Sequence, residues 1–358
     1  MKIPKKILII IQRSNGDVFL SSTLISALYN NLHSPQIDLL VNDDTIAIAK
    51  LLPNINFIHT FSYKKKHEGR WGQEKNIIKS IYRQYDLSIN LTASDRSVIY
   101  SILASKNSIS AIEKENNKSW WKKILLTNYY YFDSIKHILL NNLESLKFLN
   151  IKQEAVLIAP KIPEEVLDTV RKKLSKLGIS DFIIFHPSAQ YKYKIYPQHL
   201  RNKLLSLLGK LGITIIVTGT SNKIDIEIKN TLPSVPNVID LIGETSLEEC
   251  LALSSLSKAY IGMDTLNMHI ASAQNKHIFA IFGPTKLSMW APWSNRLQGS
   301  TLIDRAVQSY GEVTIFQADM PCVACGNAGC DNLGKSDCLY NINPELIFKE
   351  IENWYQKD

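Results

Sequence analysis

Short apolar segments of the kind found in buried strands alternate with longer segments of helical periodicity along most of this chain. In the first half the apolar segments are 7–11, 37–41, 55–58, 87–91 and 108–112. Two parallel strands can be joined only by a long crossover, which is usually a helix. The alternation therefore predicts a parallel, doubly wound sheet.

The same pattern restarts after Pro160 and Pro163. Its apolar segments are then 182–186, 213–218, 238–241, 258–263 and 278–282. The sequence thus predicts an α/β protein with two Rossmann-like domains, 1–165 and 166–342, followed by a terminal helix in 343–358. Neither half contains G-x-G-x-x-G, which argues against a dinucleotide-dependent oxidoreductase.

Composition and charge limit the class of protein and its partners. The chain is 45% hydrophobic and 21% charged, as expected of a globular protein, and it has no apolar run near the roughly 20 residues that span a bilayer. The N-terminal apolar run lacks a cleavage site and is interpreted as a strand, so we expect a cytoplasmic protein.

The region 60–125 is rich in basic residues, since it holds 13 Lys or Arg and 6 Asp or Glu. These basic residues, which include Lys64-Lys65-Lys66, either form an ordinary solvated face or attract an acidic partner, namely a membrane surface or a phosphorylated glycan. Nucleic acid is not expected as a partner.

The segment 258–293 carries the strongest functional pattern. Its first strand ends at Asp264-Thr265, two residues suited to capping the helix that begins near Leu266. The N–H groups of such a helix lie at the carboxyl edge of a parallel sheet, where α/β proteins bind ligands, and they favour an anion. The alternative is an ordinary capped turn with a buried His269.

Two other turns offer chemistry of the same kind. Gly16-Asp17 follows the first strand, and the Asp17 carboxylate is either a helix cap or a general base. Ser188 and Lys194 follow the strand 182–186 and suit phosphate, although an incidental surface loop is the alternative because Lys192 is equally near. Thr218 and Gly219 end the next strand, and Thr245 precedes a helix.

Cysteines and aromatic residues form two further groups. Four of the five cysteines are Cys322, Cys325, Cys330 and Cys338. In a cytosolic protein such clustering indicates either a closed, structural zinc site or reduced thiols. The basic pair Lys122-Lys123 adjoins Trp120-Trp121, and these aromatic residues either line an acceptor groove or pack in the core.

The ordered set of motifs resembles the lipopolysaccharide core heptosyltransferases, glycosyltransferase family nine. The resemblance rests on D-T-x-x-x-H-I-A-x-A from Asp264, on F-G-P-T at 282–285, on the G-D turn, on the Ser/Lys segment and on W-x-P-W at 290–293, and it covers most of the chain. Leu266 stands where the family usually has Gly or Ala, which brings a side chain near the phosphate position. Tyr196 stands where Trp is usual, as in the third type of core heptosyltransferase.

The resemblance implies the GT-B fold, in which two domains face each other across a cleft and the terminal helix packs back on the N-terminal domain. It implies inverting transfer of heptose from ADP-heptose to a hydroxyl of the lipopolysaccharide or lipooligosaccharide inner core, without a cofactor for catalysis, at the cytoplasmic face of the inner membrane. Asp17 would be the catalytic base. The nucleotide sugar would contact Ser188, Lys194, Thr218, Gly219, Thr245, Asp264, Thr265, Leu266 and His269, and the acceptor would contact Gly16, Trp120, Lys122 and Lys123.

Two other interpretations remain open at this point. The chain could be a glycosyltransferase of the same fold that uses another sugar nucleotide or a protein acceptor. It could also be a nucleotide-binding module without catalysis, in which a metal-stapled cysteine loop is the functional element.

Overall fold

The computed structural model describes residues 3–64, 69–114, 119–330 and 334–357, so Lys65 and Lys66 lie outside the described residues. The chain divides into two compact units, Met1–Lys161 and Ile162–Asp358. Each unit contains its own sheet and its own core, as the repeated strand–helix alternation predicted.

The first unit is a six-stranded sheet with flanking helices. Its strands are β1 (Lys6–Ile11), β2 (Gln36–Asn42), β3 (Phe57–Phe61), β4 (Leu87–Asn90), β5 (Ser108–Ile112) and β6 (Asn128–Tyr131). Its α-helices are α1 (Asn15–Phe19), α2 (Ser22–Asn31), α3 (Ile46–Ala49), α4 (Arg70–Ile81), α5 (Asp95–Ala104), α6 (Trp120–Leu125) and α7 (Ile138–Leu143).

The strand order of this sheet is β3-β2-β1-β4-β5-β6, and every neighbouring pair is parallel. The central strand β1 is buried along 7–11 because both faces of a doubly wound sheet are covered by helices. The order reverses between β1 and β4. The carboxyl ends of two such strands form the crevice where open α/β sheets bind their ligands.

The second unit is a seven-stranded sheet with flanking helices. Its strands are β7 (Phe182–His186), β8 (Thr214–Val217), β9 (Val238–Asp240), β10 (Ala259–Met263), β11 (His277–Phe282), β12 (Val307–Tyr310) and β13 (Val313–Gln317). Its α-helices are α8 (Glu164–Lys176), α9 (Gln198–Leu208), α10 (Lys223–Lys229), α11 (Leu247–Leu256), α12 (Leu266–Ala273), α13 (Leu287–Trp290), α14 (Asp337–Tyr340) and α15 (Pro344–Tyr355).

Its strand order is β12-β13-β11-β10-β7-β8-β9. Only β12 and β13 are antiparallel among these described strands. The order reverses between β7 and β10, which pair directly, with Gly262 opposite His186. A Cβ atom at Gly262 would lie 2.5 Å from the carbonyl oxygen of His186, so glycine is required for this close approach.

The terminal helix α15 begins as expected, because the side chain of Asn343 accepts a hydrogen bond from the Glu345 N–H and Pro344 occupies the first turn. Its apolar face packs against α9, and Ile347 and Ile351 are fully buried in the core of the second unit. The expected packing of this helix on the N-terminal domain stays a prediction.

Several elements differ from the sequence-based expectations. The sequence has helical periodicity over 18–31, where the structure has two helices, α1 and α2, and over 136–149, where it has α7 followed by the 3-10 helix Glu144–Leu149. The strands β6, β12 and β13 were not predicted, because they are short and lack a continuous apolar run. Among the described helices, none combines the length and the apolar character that crossing a bilayer requires.

Candidate functional site

The reversal of strand order in the second unit brings together residues that are distant in the chain. Asp264 directly follows β10, and Lys194 lies in the 3-10 turn Lys192–Lys194 beyond β7. The Lys194 Nζ atom is 2.7 Å from Oδ2 of Asp264, and both side chains are largely buried. Burial alone would lower the pKa of Lys194, but the carboxylate of Asp264 outweighs it and raises the pKa above the ordinary lysine value.

Lys192 has a different environment from Lys194. Its ammonium is exposed and lies 3.0 Å from Glu227 on α10. The structure therefore brings Lys194, and not Lys192, to Asp264.

The helix α12 begins beside this ion pair. Thr265 is its N-cap residue and Leu266 its first helical residue, so the unpaired N–H groups of the first turn lie next to Asp264. His269 is buried one turn further on, and burial lowers its pKa to about 4. Its imidazole is thus neutral at neutral pH, and within the described part of the chain its Nδ1 atom has no hydrogen-bond partner.

Two residues outside the predicted site also lie at this edge. His186, the last residue of β7, is 3.0 Å from the Thr218 hydroxyl through Nδ1, and the Asn267 amide lies 3.1 Å from its Nε2 atom. Burial lowers the pKa of His186 to about 4, so this ring is also neutral. His186 could have been predicted from its position at the end of β7, two residues before Ser188, whereas no sequence pattern distinguishes Asn267 in the first turn of α12.

Ser188 is hydrogen-bonded to the carboxylate of Asp225, a residue outside the predicted site. Its hydroxyl donates to Asp225, a fully buried residue of α10, and the Thr220 hydroxyl donates to the same carboxylate at 2.7 Å. Asp225 thereby joins the loops that follow β7 and β8. Gly219 lies in this junction, because a Cβ atom there would be 3.3 Å from the Asp225 carboxylate.

Thr245 lies in a more apolar environment. Its hydroxyl is 3.0 Å from the Cys250 sulfur, and its side chain lines a cavity of about 320 Å³ between α8 and α11. Leu174 and Leu253 line the same cavity. The expected contact of Thr245 with the nucleotide sugar stays a prediction.

In the first unit, Asp17 is buried in the first turn of α1. Its Oδ1 atom is 2.7 Å from Nε of Arg13, and its Oδ2 atom accepts from the Ser14 hydroxyl at 2.6 Å and from the Ser14 N–H at 3.3 Å. The carboxylate is therefore held in place by cap-type contacts at the carboxyl end of β1. Gly16 has helical backbone in α1 and does not form the tight turn that the sequence suggested.

The three residues predicted to contact an acceptor in 120–123 have different environments. Lys122 is buried, and its ammonium donates to the Ala93 carbonyl at 2.7 Å and pairs with Asp95 at 2.8 Å. This lysine therefore supports the loop after β4. Trp120 is 65% exposed, and Lys123 is exposed with its Nζ atom 5.4 Å from the centre of the Tyr131 ring.

The structure does not support the structural zinc site expected at Cys322, Cys325, Cys330 and Cys338. Among the described residues, no three His, Cys, Asp or Glu side chains form a group that could hold a metal ion. All four thiols are free, and Cys322 and Cys325 are exposed. Burial raises the pKa of Cys338 to about 11, and its interactions with the other three cysteines also raise it, so the four sulfurs lie in one region.

The arrangement in the second unit suits an anion. A lysine ammonium and the N-terminal turn of α12 lie together at the edge where a parallel sheet binds ligands. The arrangement in the first unit suits proton transfer, because a positioned carboxylate lies at the corresponding edge.

Comparisons with known proteins agree with this chemistry. The model of glycosyltransferase family 9 (heptosyltransferase) matches residues 75–317. The chain is 27% identical over 295 residues to lipopolysaccharide heptosyltransferase 3 of Escherichia coli strain K12, and the match covers 80% of this chain and 84% of that protein.

Solved structures show the same fold. A glycosyl transferase family 9 protein from Veillonella parvula superposes with a TM-score of 0.77 at 17% identity, covering 100% of this chain and 99% of that one. The E. coli ADP-heptose lps heptosyltransferase II superposes with a TM-score of 0.72 at 17% identity, covering 98% and 99%. The predicted fold class, an α/β protein with two parallel-sheet domains of the GT-B type, is confirmed.

Proposed function

Because this chain belongs to glycosyltransferase family 9, the heptosyltransferases, we propose that it transfers heptose from ADP-heptose to a hydroxyl of the lipopolysaccharide or lipooligosaccharide inner core. The observation that carries this proposal is the Lys194–Asp264 pair beside the N-terminus of α12 at the strand-order reversal of the second unit. The names of the relatives supply the substrates: one is a lipopolysaccharide heptosyltransferase and another an ADP-heptose enzyme.

The donor diphosphate binds the second unit in this proposal. Lys194 and the N–H groups of Thr265 and Leu266 neutralise the diphosphate, and they stabilise the charge that grows on it when the glycosidic bond breaks. Asp264 orients Lys194 and binds hydroxyls of the donor sugar. The loops with Ser188, Thr218 and Gly219 enclose the nucleotide, Thr245 lies towards the base, and the neutral His269 supports the loop.

The reaction takes place by inversion. Asp17 accepts the proton of the acceptor hydroxyl while the hydroxyl oxygen forms a bond to the anomeric carbon of heptose. The bond between that carbon and the diphosphate breaks on the opposite face, and ADP leaves with the electron pair. The pairing of Asp17 with Arg13 and Ser14 supports this role, because it fixes the direction of the carboxylate.

The basic surplus in the first half supports an anionic acceptor. We propose that Lys123 and the other basic residues of 60–125, apart from the buried Lys122, attract the phosphorylated and carboxylated core of a glycolipid, and that the exposed Trp120 stacks on its sugar rings. The enzyme would then act in the cytoplasm with a peripheral contact at the inner membrane.

The test is an incubation of the purified protein with ADP-heptose, with and without a truncated inner-core acceptor. ADP release that requires the acceptor, together with a gain of one heptose in the mass of the acceptor, supports the proposal. The same assay with a UDP-sugar is the control for donor class. Release of nucleotide from the UDP-sugar but not from ADP-heptose, or nucleotide binding without turnover, would refute heptose transfer.

A further inference from the structure

Buried polar atoms without a hydrogen-bond partner are concentrated at one place in the first unit. In the residues that the structure describes, six of the eleven such side-chain atoms belong to Gln12, Asn15, Asp17, Ser22 and Asn42; of these, Oδ1 of Asp17 is compensated by its ion pair with Arg13. Gln12 follows β1, Asn15 and Asp17 lie in α1, Ser22 begins α2, and Asn42 ends β2. Burying a polar group without a partner is costly, so a cluster of this kind indicates a surface that is completed by a bound molecule.

Gln12 is the most marked case. It is 5% exposed, and within the described residues neither Nε2 nor Oε1 of its carboxamide has a partner. Its backbone N–H donates to the Thr92 hydroxyl at 2.9 Å. Because Gln12 follows β1 and Thr92 follows β4, this bond spans the strand-order reversal where a ligand is expected.

Contacts connect Gln12 to the proposed catalytic base. The neighbouring residue Arg13 pairs with Asp17 through its side chain, and its carbonyl accepts from the Asn42 amide at 3.3 Å. This leaves Oδ1 of Asn42 without a partner. Gln12 and Asn42, which both carry free atoms, therefore both adjoin Arg13, the first along the chain and the second through this hydrogen bond.

The chemical character of the free atoms selects the ligand. Oε1 of Gln12, Oδ1 of Asn15 and Oδ1 of Asn42 are acceptors, and Nε2 of Gln12 is a donor. A ligand with several hydroxyl groups supplies the donors that these acceptors need. A purely anionic group would satisfy Nε2 but would leave the three acceptors unpaired.

We propose that the carboxamide of Gln12 binds hydroxyl groups of the acceptor sugar beside Asp17 and thereby determines which sugar is accepted. This inference rests on the proposed function, because it takes the ligand of this edge to be the acceptor.

Gln73 is the matched control, because it is a glutamine of the same unit whose carboxamide is fully paired within the protein. Its Oε1 accepts from the Ser62 N–H at 2.8 Å, and its Nε2 donates to the Ser62 carbonyl at 3.2 Å.

The experiment compares Gln12→Met with Gln73→Met. Methionine is close to glutamine in length and lacks its hydrogen-bonding groups. We expect Gln12→Met to keep or raise the melting temperature without ligand, because it removes an unpaired buried amide, whereas Gln73→Met should lower it by breaking two bonds. We expect Gln12→Met to raise the KM for a truncated core acceptor about ten- to hundredfold, with the KM for ADP-heptose unchanged.

Two results would overturn the inference. One is a wild-type acceptor KM in Gln12→Met. The other is a fall in melting temperature as large as that of Gln73→Met, since it would show that Gln12 is a structural residue.

A second readout separates failure of this inference from failure of the proposed heptose transfer. If the wild-type protein has no turnover, the readout becomes the shift in melting temperature that the truncated core oligosaccharide causes. A shift in the wild type and in Gln73→Met that is lost in Gln12→Met supports the inference, and an equal shift in all three, or none in any, refutes it.

Discussion

Lys194 and Asp264 are separated by 70 residues of sequence, yet their charged groups meet at 2.7 Å where the strand order of the second sheet reverses. Lys194 is thus held by a contact within the protein at the edge where open α/β sheets bind their ligands. It must share or exchange its contact with Asp264 when it binds a diphosphate. Both residues are therefore expected to influence donor binding.

Replacement of Lys194 by Ala should lower kcat/KM for the donor by about 10²–10³-fold, with effects on both KM and kcat. The ammonium meets a charge that is present in the bound donor and larger in the transition state. Steady-state kinetics measure both effects. Lys192→Ala is the matched control, because that lysine is exposed and pairs with Glu227, and it should stay near wild type. A larger defect in Lys192→Ala would show that the wrong lysine has been assigned to the diphosphate.

Replacement of Asp17 by Asn should reduce kcat by about 10²–10⁴-fold and leave the KM for the donor unchanged, because a general base acts on the acceptor. The control is Asp38→Asn, which changes another buried carboxylate of the same unit, one that accepts from the Tyr85 hydroxyl at 2.8 Å. Asp38→Asn should have a lower melting temperature than the wild type, but its kcat should fall much less than that of Asp17→Asn. Wild-type turnover in Asp17→Asn would leave Asp17 as a helix-capping residue only.

Replacing the adjacent lysines Lys122 and Lys123 of α6 should affect different properties, protein stability for Lys122 and acceptor binding for Lys123. Lys123→Glu should raise the acceptor KM, and added salt should do the same, since exposed charges are screened over about 8 Å at physiological ionic strength. Lys122→Met should instead lower the melting temperature, because it leaves the Ala93 carbonyl without its donor. An acceptor KM that responds neither to salt nor to Lys123→Glu would mean that the basic surplus is only a solvated face.

The close approach of β7 and β10 gives a prediction on stability. Gly262→Ala should lower the melting temperature and weaken donor binding, because the new methyl group would press against the His186 carbonyl. Gly72→Ala in α4 is the control: its added Cβ meets no atom within 4 Å, so the change should stabilise the protein by about 0.5–1 kcal/mol. Equal melting temperatures for the two variants would contradict this description of the sheet.

Two buried histidines predict a loss of stability in mild acid. His186 and His269 have pKa values of about 4 in the folded protein, against an ordinary value of 6.5, because burial disfavours their charged forms. Above pH 6.5 both states hold neutral rings, so there is no penalty. As the pH falls from 6.5 to 4 the unfolded chain binds these protons and the folded chain does not, so the free energy of unfolding decreases.

The expected decrease is on the order of 3 kcal/mol for each histidine below pH 4. Urea unfolding at pH 7.5 and 4.5 measures most of it. His269→Gln should show a smaller difference between the two pH values than the wild type does. A difference that is unchanged in this variant would show that His269 does not cause the acid sensitivity.

The fold was largely predictable because buried parallel strands are continuous apolar runs, and those around Ile9 and Phe185 are unambiguous. The edge strands β6 and β12 could not be predicted, since each has only four residues, among them Asn, Gln, Ser or Tyr, and neither forms a continuous apolar run. The motifs alone predicted that the candidate site residues lie in the loops and first helical turns that follow strands.

The pairing of these residues could not be predicted in the same way. The contact of Lys194 with Asp264 depends on β7 and β10 being neighbours, which only the strand order shows. The burial of Lys122 depends on a carbonyl and a carboxylate of another loop, and the engagement of Ser188 depends on Asp225 in α10. These are tertiary contacts, and no local sequence pattern specifies them.

The junction at Asp225 has a consequence for the thermodynamics of binding. Its carboxylate accepts from Ser188 and Thr220 and so fixes two of the loops at the ligand-binding edge of the second unit. The conformational entropy of these loops is lost when the chain folds, not when a ligand arrives. A ligand that contacts them therefore binds with a smaller entropic penalty, and Asp225→Ala should weaken binding through a more negative binding entropy.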